Sequence, residues 1–306
     1  MRFDTLISMQ SLWMLLAAFL FAVMGACVKL AASRYHVMEI VLYRSLIGAV
    51  GIAAFVRWRG VSLATQMPWM HLRRGAVGTA ALSLWFYATT ILPLGTAMTL
   101  NYSSALFLAA YIVGVAMVAG RRVDWPLAAT VLLGFVGVVL ALRPSFAQEQ
   151  TVGAVAGLAS GVLSTFAYWH VRELGRLGEP EWRTVFYFSF SGCVLGLLGS
   201  VASGFSAHDP FGVALLVAVG LTATLAQLAM TRAYGQGRLL LTASLQYSAI
   251  VFASVFGVTV FGDRLPLSAW LGIALIVGSG VLATALTARA KRAAQLPRTL
   301  ETAAEQ

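Results

Sequence analysis

Charge is what this chain is short of. Only 10% of its 306 residues are charged, and acidic side chains are scarcer still, 11 Asp and Glu against 21 Lys and Arg. Hydrophobic residues make up 59% and mean hydropathy is +0.84. A water-soluble domain cannot bury that much apolar surface, whereas a polytopic membrane protein need not. Cysteine is nearly missing: Cys27 and Cys193 stand alone in apolar segments, which excludes a framework of bridges. His36, His71, His170 and His208 are scattered over loops and span ends without metal-ligand spacing. No HExxH, GxSxG or embedded aspartate pair supports intramembrane hydrolysis. No enzyme activity, metal or cofactor is expected. The +10 net charge does not point to nucleic acid, because no basic run is interleaved with stacking aromatics.

What is present is a series of apolar runs of about 20 residues, each enough to cross about 30 Å of hydrocarbon as helix. They read as Ser11–Ala32, Met38–Val56, Leu72–Ile91, Thr96–Ala119, Pro126–Leu142, Val152–Val171, Trp182–Ser203, Phe211–Thr231, Leu239–Phe261 and Leu267–Ala288. The expected fold class is therefore an all-α polytopic membrane protein with ten transmembrane helices. Met24-Gly25-Ala26-Cys27 faintly resembles a lipoprotein cleavage site, but the apolar run continues to Ala32, so an uncleaved first span is expected. All eight prolines fall at span ends or in loops. Proline-broken helices are not expected, and close packing should come from Gly153, Gly157 and Gly161 on span six and Gly192 and Gly196 on span seven.

Lys and Arg distribution sets the expected orientation. With the N-terminus in the cytoplasm, that side receives Arg57, Arg59, Arg73, Arg74, Arg121, Arg122, Arg172, Arg176, Arg183, Arg232, Arg238 and the basic tail. The outer side receives Arg34, Arg143 and Arg264, and Lys29 can snorkel outward. Both termini are thus expected in the cytoplasm of a cell whose inner membrane holds the protein.

One stretch recurs. Asn101-Tyr102-Ser103 in span four returns as Gln246-Tyr247-Ser248 in span nine, at an offset of about 145 residues. Five spans per half is an odd number, so equivalent positions fall on opposite faces. Gly120-Arg121-Arg122 then matches Gly262-Asp263-Arg264, where one Arg has become Asp. Two inverted five-helix repeats are expected, 1–148 and 149–288, followed by a cytoplasmic tail, 289–306. Tyr102 lies about 9 Å below the outer end of its span and Tyr247 about 12 Å from the inner end of its own, so the pair brackets the midplane.

Polar side chains in such runs are costly and mark candidate sites. Tyr102 and Tyr247 read as cavity-lining rather than interfacial tyrosines, with Asn101 and Gln246 beside them and Ser244 one turn before Tyr247. Gln227 on span eight either lines the cavity or glues helices. Tyr168 closes span six, where Trp169 reads as a belt anchor and His170 as a solvated or packed histidine. Of Trp85 and Tyr87, which point apart on span three, at most one lines a cavity. Arg44 is the sharpest charge: it either anchors a substrate carboxylate or snorkels to headgroups or caps carbonyls. No Asp or Glu sits mid-span, which favours facilitated diffusion over proton antiport.

The ending Gly262-Asp263-Arg264-Leu265, followed by Trp270-Leu271-Gly272 and by Leu275-Ile276-Val277-Gly278-Ser279-Gly280-Val281, is similar to the GER(L)…WxGxxLIxxGV ending of EamA-type exporters of the drug/metabolite transporter superfamily. Weaker echoes are Gly120-Arg121-Arg122 with Gly134 and Gly137, and Gly157 to Tyr168. Asn101-Tyr102 with Ala167-Tyr168 most resembles the aromatic amino acid exporters of the YddG type. Many relatives carry proline after the polar group of spans four and nine, where this chain has Ser103-Ser104-Ala105 and Ser248-Ala249. The resemblance implies a central cavity lined by spans three, four, eight and nine with help from one and six. It implies an alternating-access exporter of amino acids, neutral or aromatic favoured. The alternatives it leaves are a permease for a nucleotide-like or sulfonium compound, a proton-coupled antiporter, and last a non-transporting scaffold. The expected partners are a small-molecule substrate and the lipid bilayer, with the chain as monomer or homodimer.

Overall fold

The computed structural model describes residues 2–104, 106, 107, 114, 117–120, 125–142, 148–237, 242, 245–279, 281, 282, 285 and 286. Among the described residues every regular element is a helix: α1 (Arg2–Ala31), α2 (Val37–Arg59), α3 (Pro68–Ile91), α4 (Leu94–Tyr102), α5 (Trp125–Leu142), α6 (Gln148–Arg176), α7 (Glu181–Ser203), α8 (Pro210–Gln236), α9 (Ser248–Phe261) and α10 (Leu267–Ser279). They follow the ten apolar runs in order. Five of them, in α1, α2, α6, α7 and α8, are long and apolar enough to cross a membrane by length and composition. The ends run further than the hydropathy suggests, because α3 starts at Pro68 and α8 continues to Gln236. The extension of α8 brings Tyr234 into a helix.

Helix boundaries repeat between the halves. Pro68 and Pro210 open α3 and α8, where a missing N–H costs nothing because the first amides have no intrahelical acceptor. Gly60 and Gly204 follow α2 and α7 at φ of 66° and 82°, and Gly120 and Gly262 form a second such pair at 60° and 63°, left-handed values that a side chain resists. Packing is matched in the same way. α1 lies along α8 as α6 lies along α3; α4 touches α6 as α9 touches α1; α3 meets α7 as α8 meets α2. α2 pairs with α7, and α4 with α9.

Glycine sets how close these pairs come. A Cβ on Gly161 of α6 would lie 2.5 Å from the Leu100 carbonyl oxygen, and one on Gly157 2.8 Å from Leu100 Cδ1. On α7, a Cβ on Gly196 would stand 2.6 Å from the Leu42 amide nitrogen. Both expected glycine faces are thus helix contacts, α6 on α3 and α4, α7 on α2. Outside, leucines, valines and tryptophans are exposed along the helices. Trp13, Trp58 and Trp69 carry Arg232, Arg59 and Arg73 over their rings at 5.4, 5.0 and 5.2 Å, the arrangement of a membrane-interface belt. These sit at one end of the bundle, which also gathers Arg183 and Arg176. The opposite end carries Lys29, Arg34, Glu39, His208, Asp209 and Asp263.

Candidate substrate-binding site

The two tyrosines of the repeated stretch sit where their helices are interrupted. α4 ends at Tyr102 with Ser103 as its cap, and α9 begins at Ser248 with Tyr247 as its cap. The bonds there tighten to three-residue closures, Ser103 N–H to the Leu100 carbonyl at 3.3 Å and Ile250 N–H to the Tyr247 carbonyl at 3.0 Å. Serine hydroxyls cover neighbouring carbonyls, Ser103 to Thr99 at 3.0 Å and Ser248 to Leu245 at 2.6 Å. Breaks therefore occur without proline, which the positions of the prolines alone did not reveal.

Around these breaks four phenols converge. Tyr168 of α6 stacks on Tyr234 of α8, ring centres 5.7 Å apart at 19°. Tyr102 lies in the electrostatic field of both, and Tyr234 in that of Tyr247. The Tyr234 hydroxyl donates to Gln246 Oε1, and the buried Tyr247 hydroxyl has no partner among the described residues. Tyr102, Tyr168, Gln246 and Tyr247, drawn from three regions of the sequence, are thus brought together. Tyr234 was missed because hydropathy ended its span at Thr231.

Asn101 behaves differently. Its Nδ2 donates to Ser160 Oγ at 2.5 Å and Ser164 Oγ at 3.1 Å, and Ser160 donates onward to the Ala81 carbonyl at 2.8 Å. The amide is spent clamping α4 to α6 and α3. Trp85 is buried with its Nε1 unpartnered, while Tyr87 on the same helix is exposed. Gln227 is buried with Oε1 unpartnered. Trp169 and His170 face outward, as an anchor and a histidine bonded to the Phe166 carbonyl at 2.7 Å. Ser244 lies outside the described residues, as does the tail.

Arg44 does not snorkel. It is 3% exposed, lies 4.9 Å over the Phe188 ring, and its Nε has no partner. A second arginine does the same. Arg74, counted from sequence among the charges of a loop, is also 3% exposed and lies 4.2 Å over the same ring, its Nε and Nη1 unpartnered. Among the described residues no carboxylate pairs with either, and neither makes a hydrogen bond. Arg74 also lies within the electrostatic reach of Tyr168, which links the arginines to the tyrosines. An arginine at the centre of a membrane helix costs roughly 3 kcal/mol on insertion scales, so two without counter-charges are a feature with a use. The spacing Arg74-x-x-x-Gly78 was the available signal: Gly78 leaves room for the guanidinium, which a Cβ there would strike.

The ends of the bundle hold the carboxylates. Lys29 was expected to snorkel; instead it pairs with Asp263 at 3.3 Å and reaches the Leu92 carbonyl at 3.4 Å, while Asp263 also accepts from the Leu94 N–H at 3.1 Å. This ties α1, the start of α4 and the loop after α9 together. Glu39, fully buried, accepts from the Ser206 N–H at 3.2 Å with His208 at 3.5 Å. At the opposite end Glu179 accepts from Thr65 at 2.6 Å and Arg183 at 2.9 Å, with His71 3.6 Å away. Burial alone would raise the Glu179 carboxyl, but the hydrogen bonds from Thr65 and Arg183 and the Arg183 charge hold it below its ordinary value. Among the described residues no three His, Cys, Asp or Glu are placed to hold a metal.

Residues 8–143 match the EamA-like transporter family model. The chain is 32% identical over 273 residues to the pseudopaline exporter CntI of Pseudomonas aeruginosa strain PAO1, covering 87% of this chain and 90% of that protein. The chain belongs to the EamA-like transporter family. An S-adenosylmethionine uptake transporter of Rickettsia conorii is 23% identical over 270 residues, 87% of this chain and 88% of its own length. An uncharacterised transporter of Helicobacter pylori strain 26695 is 26% identical over 277 residues, 88% and 92%. A solved crystal structure superposes with a TM-score of 0.65 at 24% identity, over 92% of this chain and 98% of its own; it speaks for the fold. The names of these relatives include an exporter and an uptake transporter, and the expected likeness to aromatic amino acid exporters is not specifically supported. What is shared is membrane transport by an EamA fold.

Proposed function

We propose that this chain is an inner-membrane exporter of small, carboxylate-bearing, amino-acid-type metabolites. The observation that carries the reading is the convergence of Tyr102, Tyr168, Tyr234 and Tyr247 between α4, α6, α8 and α9, beside two buried guanidiniums with no counter-charge among the described residues. The phenols offer flat faces and hydrogen bonds, and an arginine offers a planar fork for a carboxylate. The halves 1–148 and 149–288 are read as inverted repeats, supported by the matched helix contacts and by the equivalent breaks at Tyr102 and Tyr247. Alternate opening of such halves around a fixed midplane site is the transport cycle. The arginine-rich end is assigned to the cytoplasm by the positive-inside bias, which places both termini there.

Facilitated diffusion is the favoured energetics. Glu39, Glu179 and Asp263 are engaged with loops at the two ends, away from the tyrosines, so none is poised to exchange a proton with the substrate. A second reading, a permease for a sulfonium compound, draws on the name of the Rickettsia relatives; a permanent cation beside Arg44 and Arg74 counts against it. Flux of labelled phenylalanine, threonine, methionine and glutamate into proteoliposomes holding the purified chain tests the reading. Uptake above empty vesicles for at least one of them is expected. No flux of any would overturn the amino-acid version.

A further inference from the structure

Arg44 and Arg74 enter the bundle from opposite ends. α2 runs antiparallel to α7, with Leu42 against Gly196, Ser45 against Gly192 and Gly48 against Ser189. Phe188 is therefore level with the turn beyond Gly48, deeper than Arg44 itself, and the Arg44 guanidinium over that ring reaches away from its own helix start. α3 runs parallel to α7, with Gly75 against Tyr187 and Ser191 and Gly78 against Phe188. The Arg74 guanidinium lies against Gly78, one turn further in than its Cα, although the short way out leads back toward the exposed Trp69 and Arg73. A long cationic side chain with no task in the membrane turns its head to the nearest surface. These two do the reverse and meet at one ring.

Two like charges held at one depth repel each other, and each has lost its hydration. Phe188 offsets a part of this through its ring face, and no described carboxylate offsets the rest. The missing partner carries negative charge, and two fixed guanidiniums are balanced by two carboxylates, each able to take a planar, two-point contact. Resting on the permease reading above, we propose that Arg44 and Arg74 form a midplane subsite for two carboxylate groups, so that the transported solute is an organic dicarboxylate rather than a neutral amino acid. The Tyr168 and Tyr234 faces beside Arg74 then hold the body of the solute between its charged ends.

The test uses the full-length purified chain and pairs of solutes that differ by one charge: glutamate with glutamine, aspartate with asparagine, succinate with succinamate. Thermal unfolding in detergent at rising solute concentration gives the half-saturation of each. At least one dicarboxylate is expected to raise Tm at a concentration about tenfold or more below its amide partner, and Arg44→Gln and Arg74→Gln are each expected to bring the two within about twofold. Gly78→Ala, which leaves both arginines in the chain but removes the space Arg74 occupies, is expected to do the same. Arg74→Met separates ligand binding from folding, since loss of an uncompensated charge holds or raises Tm of the solute-free protein. No shift with any dicarboxylate, equal shifts with the amides, or discrimination that survives both Gln variants would overturn the proposal. Vesicle flux distinguishes its failure from that of the wider reading. Transport of neutral amino acids without charge discrimination sinks the dicarboxylate subsite and leaves the permease. Arginine-dependent dicarboxylate binding without flux of any solute leaves the subsite and sinks the permease.

Discussion

At the scale of single residues, the buried polar groups divide into those that have found partners and those that have not. Asn101 has found them. Removing it as Asn101→Ala gives up two hydrogen bonds and leaves Ser160 and Ser164 facing a gap, so a loss of about 2 kcal/mol in stability is expected, measured by thermal unfolding in detergent. Tyr247 has not found one. Tyr247→Phe removes a hydroxyl that no described residue satisfies, so stability should change by less than about 0.5 kcal/mol while transport efficiency falls about tenfold. A matched fall in Tm would assign Tyr247 to packing instead. The sequence made both tyrosines legible, because aromatic hydroxyls beside amides are conspicuous in apolar runs. It did not separate Asn101 from Gln246, since a side chain's partner on another helix depends on packing that periodicity does not contain. Arg74 was hidden for a different reason: it adjoins Arg73 at a span end, where positive charge is normally at the surface.

At the scale of elements, the ten apolar runs were enough to place the helices, and their polar edges misjudged the ends by a turn. α3 and α8 both overran, and the extra turns of α8 carry Tyr234. The interruptions at Tyr102 and Tyr247 were illegible because no proline marks them; serine hydroxyls stabilise the break by bonding carbonyls nearby. The loops before α3 and α7 are held by the buried Glu179 carboxylate, which gives them a definite pH response. Glu179 has its carboxyl below the ordinary 4.5, so its contribution is present above that value and is lost as pH falls through its lower folded value. Glu179→Gln should cost about 1–2 kcal/mol at neutral pH and flatten the acid limb of a stability profile. An unchanged limb would show that the acid response originates elsewhere. At the other end, Asp263→Ala removes the acceptor of the Leu94 amide. Hydrogen exchange at Leu94 should accelerate about tenfold or more, and unchanged exchange would show that the loop holds α4 without Asp263.

At the scale of the whole molecule, scarcity of charge was sufficient for the class of protein, and the offset between two similar stretches is what motivates the proposed two-part plan. They could not supply the substrate. Family membership leaves it open as well, since relatives of this chain carry export and uptake names alike. The physical account rests on a site at the meeting of the halves, where the Tyr102 and Tyr247 breaks bring polar groups to mid-depth and Arg44 and Arg74 supply charge. Orientation belongs to this scale too. A reporter fused after Gln306 is expected in the cytoplasm, and a periplasmic signal would invert the assignment of every loop.

The most direct measurement is transport by a variant in which only the central tyrosine faces are removed. Tyr102→Ala combined with Tyr247→Ala is purified, its helix content and unfolding compared with the parent chain, and both are placed in proteoliposomes with whichever labelled solute the parent moves. The account predicts a folded protein whose flux falls to within about twofold of empty vesicles, as removal of two substrate contacts worth about 1–2 kcal/mol each would produce. Flux equal to that of the parent, in a protein folded as well, would contradict the placement of the site between the halves.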